Sequence, residues 1–185
     1  TGSDGNKKPA ARKEKRSAPA VNVSKEKNPA PTKRQRVDAT PEGGPRVISV
    51  LICFDGGSRG NPGVAGAGAE VILTERTAKQ VQKARRKIHL RQYLGSGATN
   101  NEGEWTGALE GLKQTLEQVQ KFKDRNENIN PRVEVVVQGD SQLVIRQLDG
   151  TYQCRNAKLK PLLKQFKETL SKLEGMVDED IVSAE

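Results

Sequence analysis

Apolar and polar positions change character near residue 46. From 47 to 54 the chain reads VISVLICF, apolar at seven of eight positions with Ser49 the exception. So continuous a run predicts a strand in the middle of a sheet, covered on both faces. The run ends on Asp55, and Gly56, Gly57, Gly60, Pro62 and Gly63 follow, which predicts a tight loop with a carboxylate delivered at the strand end. Residues 64–73 (VAGAGAEVIL) predict a second strand, whose small residues allow another element to pack closely over the sheet. Around 87–94, Ile88, Leu90 and Leu94 alternate with Lys87, His89, Arg91 and Tyr93, the two-residue period of a half-exposed third strand.

A second set of elements follows. Thr99-Asn-Asn-Glu102 has the spacing of a capping box, and Trp105, Ala108, Leu109, Leu112, Leu116 and Val119 recur at helical intervals beyond it. Residues 126–131 predict a loop, and 132–139 (RVEVVVQG) a fourth strand that again runs into an acid, Asp140. A short helix over 141–148 leads through Asp149-Gly150 to a longer helix with an apolar stripe at Leu159, Leu162, Leu163, Phe166, Leu170 and Leu173. Strands and helices in this order predict an α/β sheet whose chemistry sits at the carboxyl ends of its strands.

Charge adds a partner class. The 185 residues carry a formal net charge of +9 with one histidine and two cysteines, which favours a polyanion such as nucleic acid. Residues 1–45 hold 11 Lys/Arg against 5 Asp/Glu, and 46–185 hold 21 against 18. The first stretch has no aromatic residue and no apolar period, so it is expected to be a disordered basic arm. Within it, Pro31-Thr-Lys33-Arg34-Gln-Arg36-Val reads equally as a nuclear localisation signal and as a non-specific polybasic tail. Cys53 and Cys154 suit a reducing compartment and have no zinc spacing. No apolar run reaches membrane-spanning length, and no membrane partner is expected.

The catalytic options are few. His89 is predicted to face solvent, no serine sits in a nucleophile elbow, and the glycine loop lacks the lysine of a phosphate-binding P-loop. An enzyme of this sequence would work with carboxylates and the hard divalent cations they hold. Taken alone, Asp55-Gly56-Gly57 reads as well as a hairpin turn.

Three stretches together resemble the successive signatures of the type 1 ribonuclease H family: residues 54–63 (FDGGSRGNPG), 98–105 (ATNNEGEW) and 139–144 (GDSQLV). The subgroup it most resembles is the short form without a basic protrusion. The likeness spans about residues 47–173, and residues 152–163 are similar to the subgroup's linker into its last long helix. It implies a ribonuclease H-like fold, a mixed five-stranded sheet with its first three strands antiparallel and helices packed on it, over residues 46–175. It also implies Asp55, Glu104 and Asp140 as catalytic metal ligands, with Mg²⁺, or alternatively Mn²⁺, as cofactor. Periodicity does not choose between Glu102 and Glu104; the family spacing selects Glu104 and leaves Glu102 as the capping partner. Asn61, Asn100 and Asn101 carry over as minor-groove contacts, and Arg59 reads equally as a backbone contact and as part of a glycine turn.

The implied activity is cleavage of the RNA strand of an RNA/DNA hybrid by two-metal chemistry, which needs no protein nucleophile. The alternative is a non-catalytic nucleic-acid-binding module with the same fold. The family continues with a fifth strand, a histidine-bearing loop and a terminal helix carrying a fourth aspartate, and residues 176–185 match none of these. A monomer acting in the nucleus is expected, with the cytoplasm or an organelle as alternatives.

Overall fold

The computed structural model describes residues 46–77, 82–127, 129–177 and 179–184. The basic arm and its localisation motif lie outside the described residues. The elements run β1 (Val47–Gly60), β2 (Gly63–Arg76), β3 (Gln82–Ala98), α1 (Asn100–Arg125), β4 (Arg132–Gln138), α2 (Gln142–Leu148), α3 (Lys160–Glu174) and β5 (Glu179–Ala184). They form one sheet of five strands in the order β3-β2-β1-β4-β5. β1, β2 and β3 pair antiparallel, and β4 lies parallel to both β1 and β5. This is the mixed sheet expected from the sequence.

β1 occupies the centre, but its two faces are unequal. Ile48, Val50, Ile52 and Phe54 are buried while Val47, Ser49, Leu51 and Cys53 are only half-buried. The continuous apolar run therefore does not mark a strand covered on both sides. α1 covers one face, with α3 packed against α1; the other face carries a half-buried row in which Leu51 lies beside Ile72 and Val136. The glycine stretch also differs from expectation, because β1 continues through Asp55 to Gly60 as a ladder with β2 and turns only at Asn61-Pro62. Backbone pairing with β2 overrides the turn propensity of the glycines here.

α1 begins as the sequence predicts. Thr99 is its N-cap and Glu102 completes the capping box. Its apolar stripe buries Trp105, Ala108, Leu109, Leu112 and Val119. The helix lies close on β2 through glycines: a Cβ on Gly103 would sit 2.8 Å from the Gly66 oxygen, and one on Gly107 2.5 Å from the Gly68 oxygen. The small residues of β2 thus have their partner. Trp105 fixes the remaining helices, meeting Phe166 of α3 edge to face at 6.0 Å and donating from Nε1 to Oε1 of Gln147 in α2 at 2.9 Å. Edge-to-face pairs of this kind add about 1 kcal/mol beyond the burial of their area.

The stretch 176–185 matches none of the family's elements by sequence, yet within it Glu179–Ala184 forms β5, paired with β4 from Arg132 opposite Glu179 to Val137 opposite Ala184. Six residues flanked by acids are too few to display a strand period. Parallel pairing is reached through the α2–α3 crossover. Cys53 and Cys154 are free thiols, and no helix among the described residues is long and apolar enough to cross a membrane.

Candidate active site

Three chain segments meet at one edge of the sheet. The parallel ladder of β1 and β4 ends where Cys53 faces Gln138, so Asp55 and Asp140 are carried just past it on neighbouring strands. Both are exposed. Gly139 packs against the Phe54 ring, where a Cβ would stand 2.4 Å from Cζ, and this holds the β4 exit against β1. The first turn of α1 closes the third side. A Cβ on Gly56 would lie 2.1 Å from both the Glu104 nitrogen and the Gly103 carbonyl carbon, so only glycine permits the helix backbone to rest there.

Glu104 comes from that turn and is 9% exposed. A buried carboxylate needs donors, and it has two: Asn100 Nδ2 donates to Oε1 at 2.8 Å and Ser141 Oγ donates to Oε2 at 2.5 Å. Ser141 follows Asp140 directly and is the N-cap of α2. The bond therefore joins the element after β4 to the start of α1. Asp55 Oδ1 accepts from the Gly56 amide at 2.7 Å.

Glu102 points elsewhere. Burial pushes its carboxyl up, but the Thr99 amide and hydroxyl and the Lys158 ammonium outweigh this and leave it below its ordinary value. Thr99 N and Oγ1 donate to Oε2 at 2.8 and 2.9 Å, and Lys158 Nζ lies 3.5 Å away. It is the capping partner that the sequence reading expects. The Cys53 thiol, two residues before Asp55, is pushed up by burial and by Glu70, with Lys87 opposing.

The residues expected to touch nucleic acid border the acids. Asn61 Oδ1 accepts from the Asn100 amide at 3.2 Å, and Ser58 Oγ donates to the Ala98 oxygen at 3.0 Å. These bonds tie the β1–β2 turn to the start of α1. Asn61 and Arg59 are exposed, and Asn100 and Asn101 half-buried. An open groove of about 490 Å³ leads from Asp55 over Gly57, Gly66 and Gly68 to Arg91 and Tyr93.

Sequence reasoning missed Ser141 and Lys158 as parts of this edge. A serine after a strand-end acid, three residues before an apolar helical position, was the available signal for the first. Lys158 carried none, since its partner lies 56 residues earlier in the chain.

The donor set of three carboxylates with amide and hydroxyl oxygens nearby is the oxygen chemistry that hard divalent cations take. Among the described residues, no three Asp, Glu, His or Cys side chains close into a group that could hold a metal ion. The edge thus brings the three segments together while leaving the two aspartates exposed and Glu104 engaged by Asn100 and Ser141.

No protein-family model matches the chain. Among curated proteins, the bifunctional protein Rv2228c of Mycobacterium tuberculosis is 31% identical over 118 residues, which is 64% of this chain and 27% of that protein. The chain therefore spans about a quarter of the length of the curated relatives it matches. Among solved structures, the N-terminal RNase H domain of Rv2228c, determined as a fusion with maltose binding protein, is 30% identical with a TM-score of 0.48, covering 74% of this chain and 86% of that one. LC11-RNase H1, isolated from compost and solved in complex with an RNA/DNA hybrid, is 29% identical with a TM-score of 0.42, covering 74% of this chain and 84% of that one. The chain is thus similar, at about 30% identity, to a curated protein and to solved RNase H domains, and its three stretches that resemble type 1 ribonuclease H signatures meet at one sheet edge.

Proposed function

We propose that the chain is a hybrid-specific endoribonuclease that hydrolyses the RNA strand of RNA/DNA hybrids at the edge formed by Asp55, Glu104 and Asp140. The observation that carries this reading is the seating of Glu104 against Gly56, with Ser141 joining it to the residue after Asp140. The segments that carry these three acids, far apart in sequence, meet at one strand edge, an arrangement with no role in the hydrophobic core.

Asp55 and Asp140 offer exposed oxygens, and Glu104 offers a carboxylate whose orientation is fixed by Asn100 and Ser141. These three would hold Mg²⁺ or Mn²⁺. Such a cation, when bound, supplies Lewis acidity and charge neutralisation for phosphodiester hydrolysis. The chain's other residues bind and orient. Asn61, Asn100 and Asn101 would reach 2′-hydroxyls and base edges across a minor groove. Arg59 is exposed in the β1–β2 ladder and would contact the backbone of the same duplex. The protein acts as a monomer, and the arm supplies added electrostatic attraction and nuclear address.

A second reading, a binding module without turnover, has one observation in its favour: both Glu104 oxygens are already engaged, and no three ligands close on one point among the described residues. The two readings part in an assay of the full chain on RNA/DNA hybrid, duplex RNA and duplex DNA, with and without Mg²⁺. Cleavage of the hybrid alone, and only with the cation, supports the enzyme; binding without cleavage supports the module.

A further inference from the structure

Arg85, Lys87, His89, Arg91 and Tyr93 lie on one side of β3 and are all exposed, at two-residue intervals that cover about 26 Å. Their neighbours Ile88 and Leu90 pack against the core from the other side. β3 is an edge strand, and charges along an edge guard it against pairing with another sheet. That accounts for the charges but not for Tyr93, which is 72% exposed at the end of the row.

The row starts level with the acids. Asp55 stands opposite Gly68 and Gly68 opposite Arg91, a span of about 10 Å across three strands, and Gly66 stands opposite Tyr93. Arg91 and Tyr93 thus rise beside glycines and line the open groove of about 490 Å³ that reaches Asp55. Crowding does not demand those glycines: a Cβ on Gly66 would come no nearer than 3.4 Å to the Gln92 oxygen, and one on Gly68 no nearer than 3.6 Å to the Leu90 oxygen. Neither has a positive φ. Glycine kept inside a strand without such a demand marks a floor on which another molecule lies closely. Further from the acids the row is cationic. Glu70 takes Lys87 Nζ at 2.8 Å and His89 Nδ1 at 3.3 Å, which leaves the Arg85 and Arg91 guanidiniums without a hydrogen bond or ion pair among the described residues.

We propose that this side of β3, from Tyr93 and Arg91 to Arg85 with the Gly66–Gly68 floor, is a track for the single-stranded continuation of the RNA strand beyond the hybrid. An exposed aromatic followed by unpaired guanidiniums binds a single strand by stacking and by charge, without reading its sequence. The inference rests on the proposed function in that the RNA is the strand lying at Asp55, where the groove begins. Stiffness selects the single strand: a DNA duplex holds its direction over about 150 base pairs, so a duplex laid over the acids does not turn down the side of β3, whereas a single strand does.

The test measures binding by the full chain, without divalent cation and across a salt series, of a blunt hybrid of about 12 base pairs and of the same hybrid with either its RNA or its DNA strand extended at both ends by about eight nucleotides. Wild type binds the RNA-extended hybrid about tenfold tighter than the blunt one, and gains nothing from the DNA extension. The double variant Arg85→Gln, Arg91→Gln lowers the slope of log affinity against log salt on the RNA-extended hybrid by about 1.4, two charges at about 0.7 each, and leaves the slope on the blunt hybrid unchanged. Tyr93→Ala, which removes the stacking ring, and Gly66→Val, which fills the floor, each abolish most of the gain from the RNA extension. Thermal unfolding, followed by the fluorescence of Trp105, stays at the wild-type midpoint for the arginine and tyrosine variants. A gain that survives both of these variants overturns the track, even where the hybrid is cleaved. So does a gain from the DNA extension alone, or self-association of the arginine variant with binding unchanged, which would make the row an edge guard only. A wild-type chain that cleaves no hybrid, yet shows the RNA-extension gain and loses it in the variants, leaves the track standing and overturns the nuclease reading alone.

Discussion

Ser141 Oγ donates to Glu104 Oε2 at 2.5 Å, so the residue that follows one strand-end acid holds in place the acid contributed by the first helix. Ser141 also accepts from the Val144 amide at 3.4 Å as the N-cap of α2. Ser141→Ala removes both bonds at once. Loss of a cap and of one donor to a buried carboxylate costs about 1–3 kcal/mol, read from urea unfolding by Trp105 fluorescence. Cleavage falls with it, and Ser141→Thr, which keeps the hydroxyl, restores most of both. Wild-type activity in the alanine variant would mean that Glu104 needs no such orientation.

Gly56 and Gly57 give a paired comparison. A Cβ on Gly56 would meet backbone atoms of Gly103 and Glu104 at 2.1 Å, whereas one on Gly57 meets nothing within 4 Å. Gly56→Ala must push the start of α1 off the sheet, with a loss of about 2 kcal/mol or more and of cleavage. Gly57→Ala leaves stability close to wild type. Equal melting temperatures for the two variants would contradict the seating of α1.

The capping box has a pH signature. The folded-state carboxyl of Glu102 is below its ordinary value of 4.5, so the ionised form is the one that folding favours. Its contribution is complete above about pH 4.5 and disappears as pH falls through the lower folded value. Glu102→Gln therefore destabilises the protein at neutral pH, and the gap between variant and wild type closes in acid. A gap that stays constant from neutral to strongly acidic pH would show that charge on Glu102 plays no part.

Much of this site could be read along the chain because its parts are local signals. The Thr99–Glu102 capping box, the helical stripe from Trp105 to Val119 and the acids after two apolar runs each lie within a few residues of one another. What escaped depends on partners distant in sequence. The glycines after Asp55 look like a loop until β2 pairs with them. The run from Val47 to Phe54 looks covered on both faces, since nothing local reports that one side of the sheet is left half-open. β5 is hidden because its six residues pair with β4 across a crossover. Lys158 and Ser141 acquire their roles only when α1 is laid beside the α2–α3 linker.

The most direct test of the acid edge compares the full chain with its Asp55→Asn variant on an RNA/DNA hybrid in Mg²⁺. The expected result is cleavage of the RNA strand by wild type and none above background by the variant, which loses about three orders of magnitude or more in rate while binding the hybrid with affinity within about threefold of wild type. Cleavage by Asp55→Asn at the wild-type rate, or no hybrid cleavage by wild type at any Mg²⁺ concentration, would contradict the account.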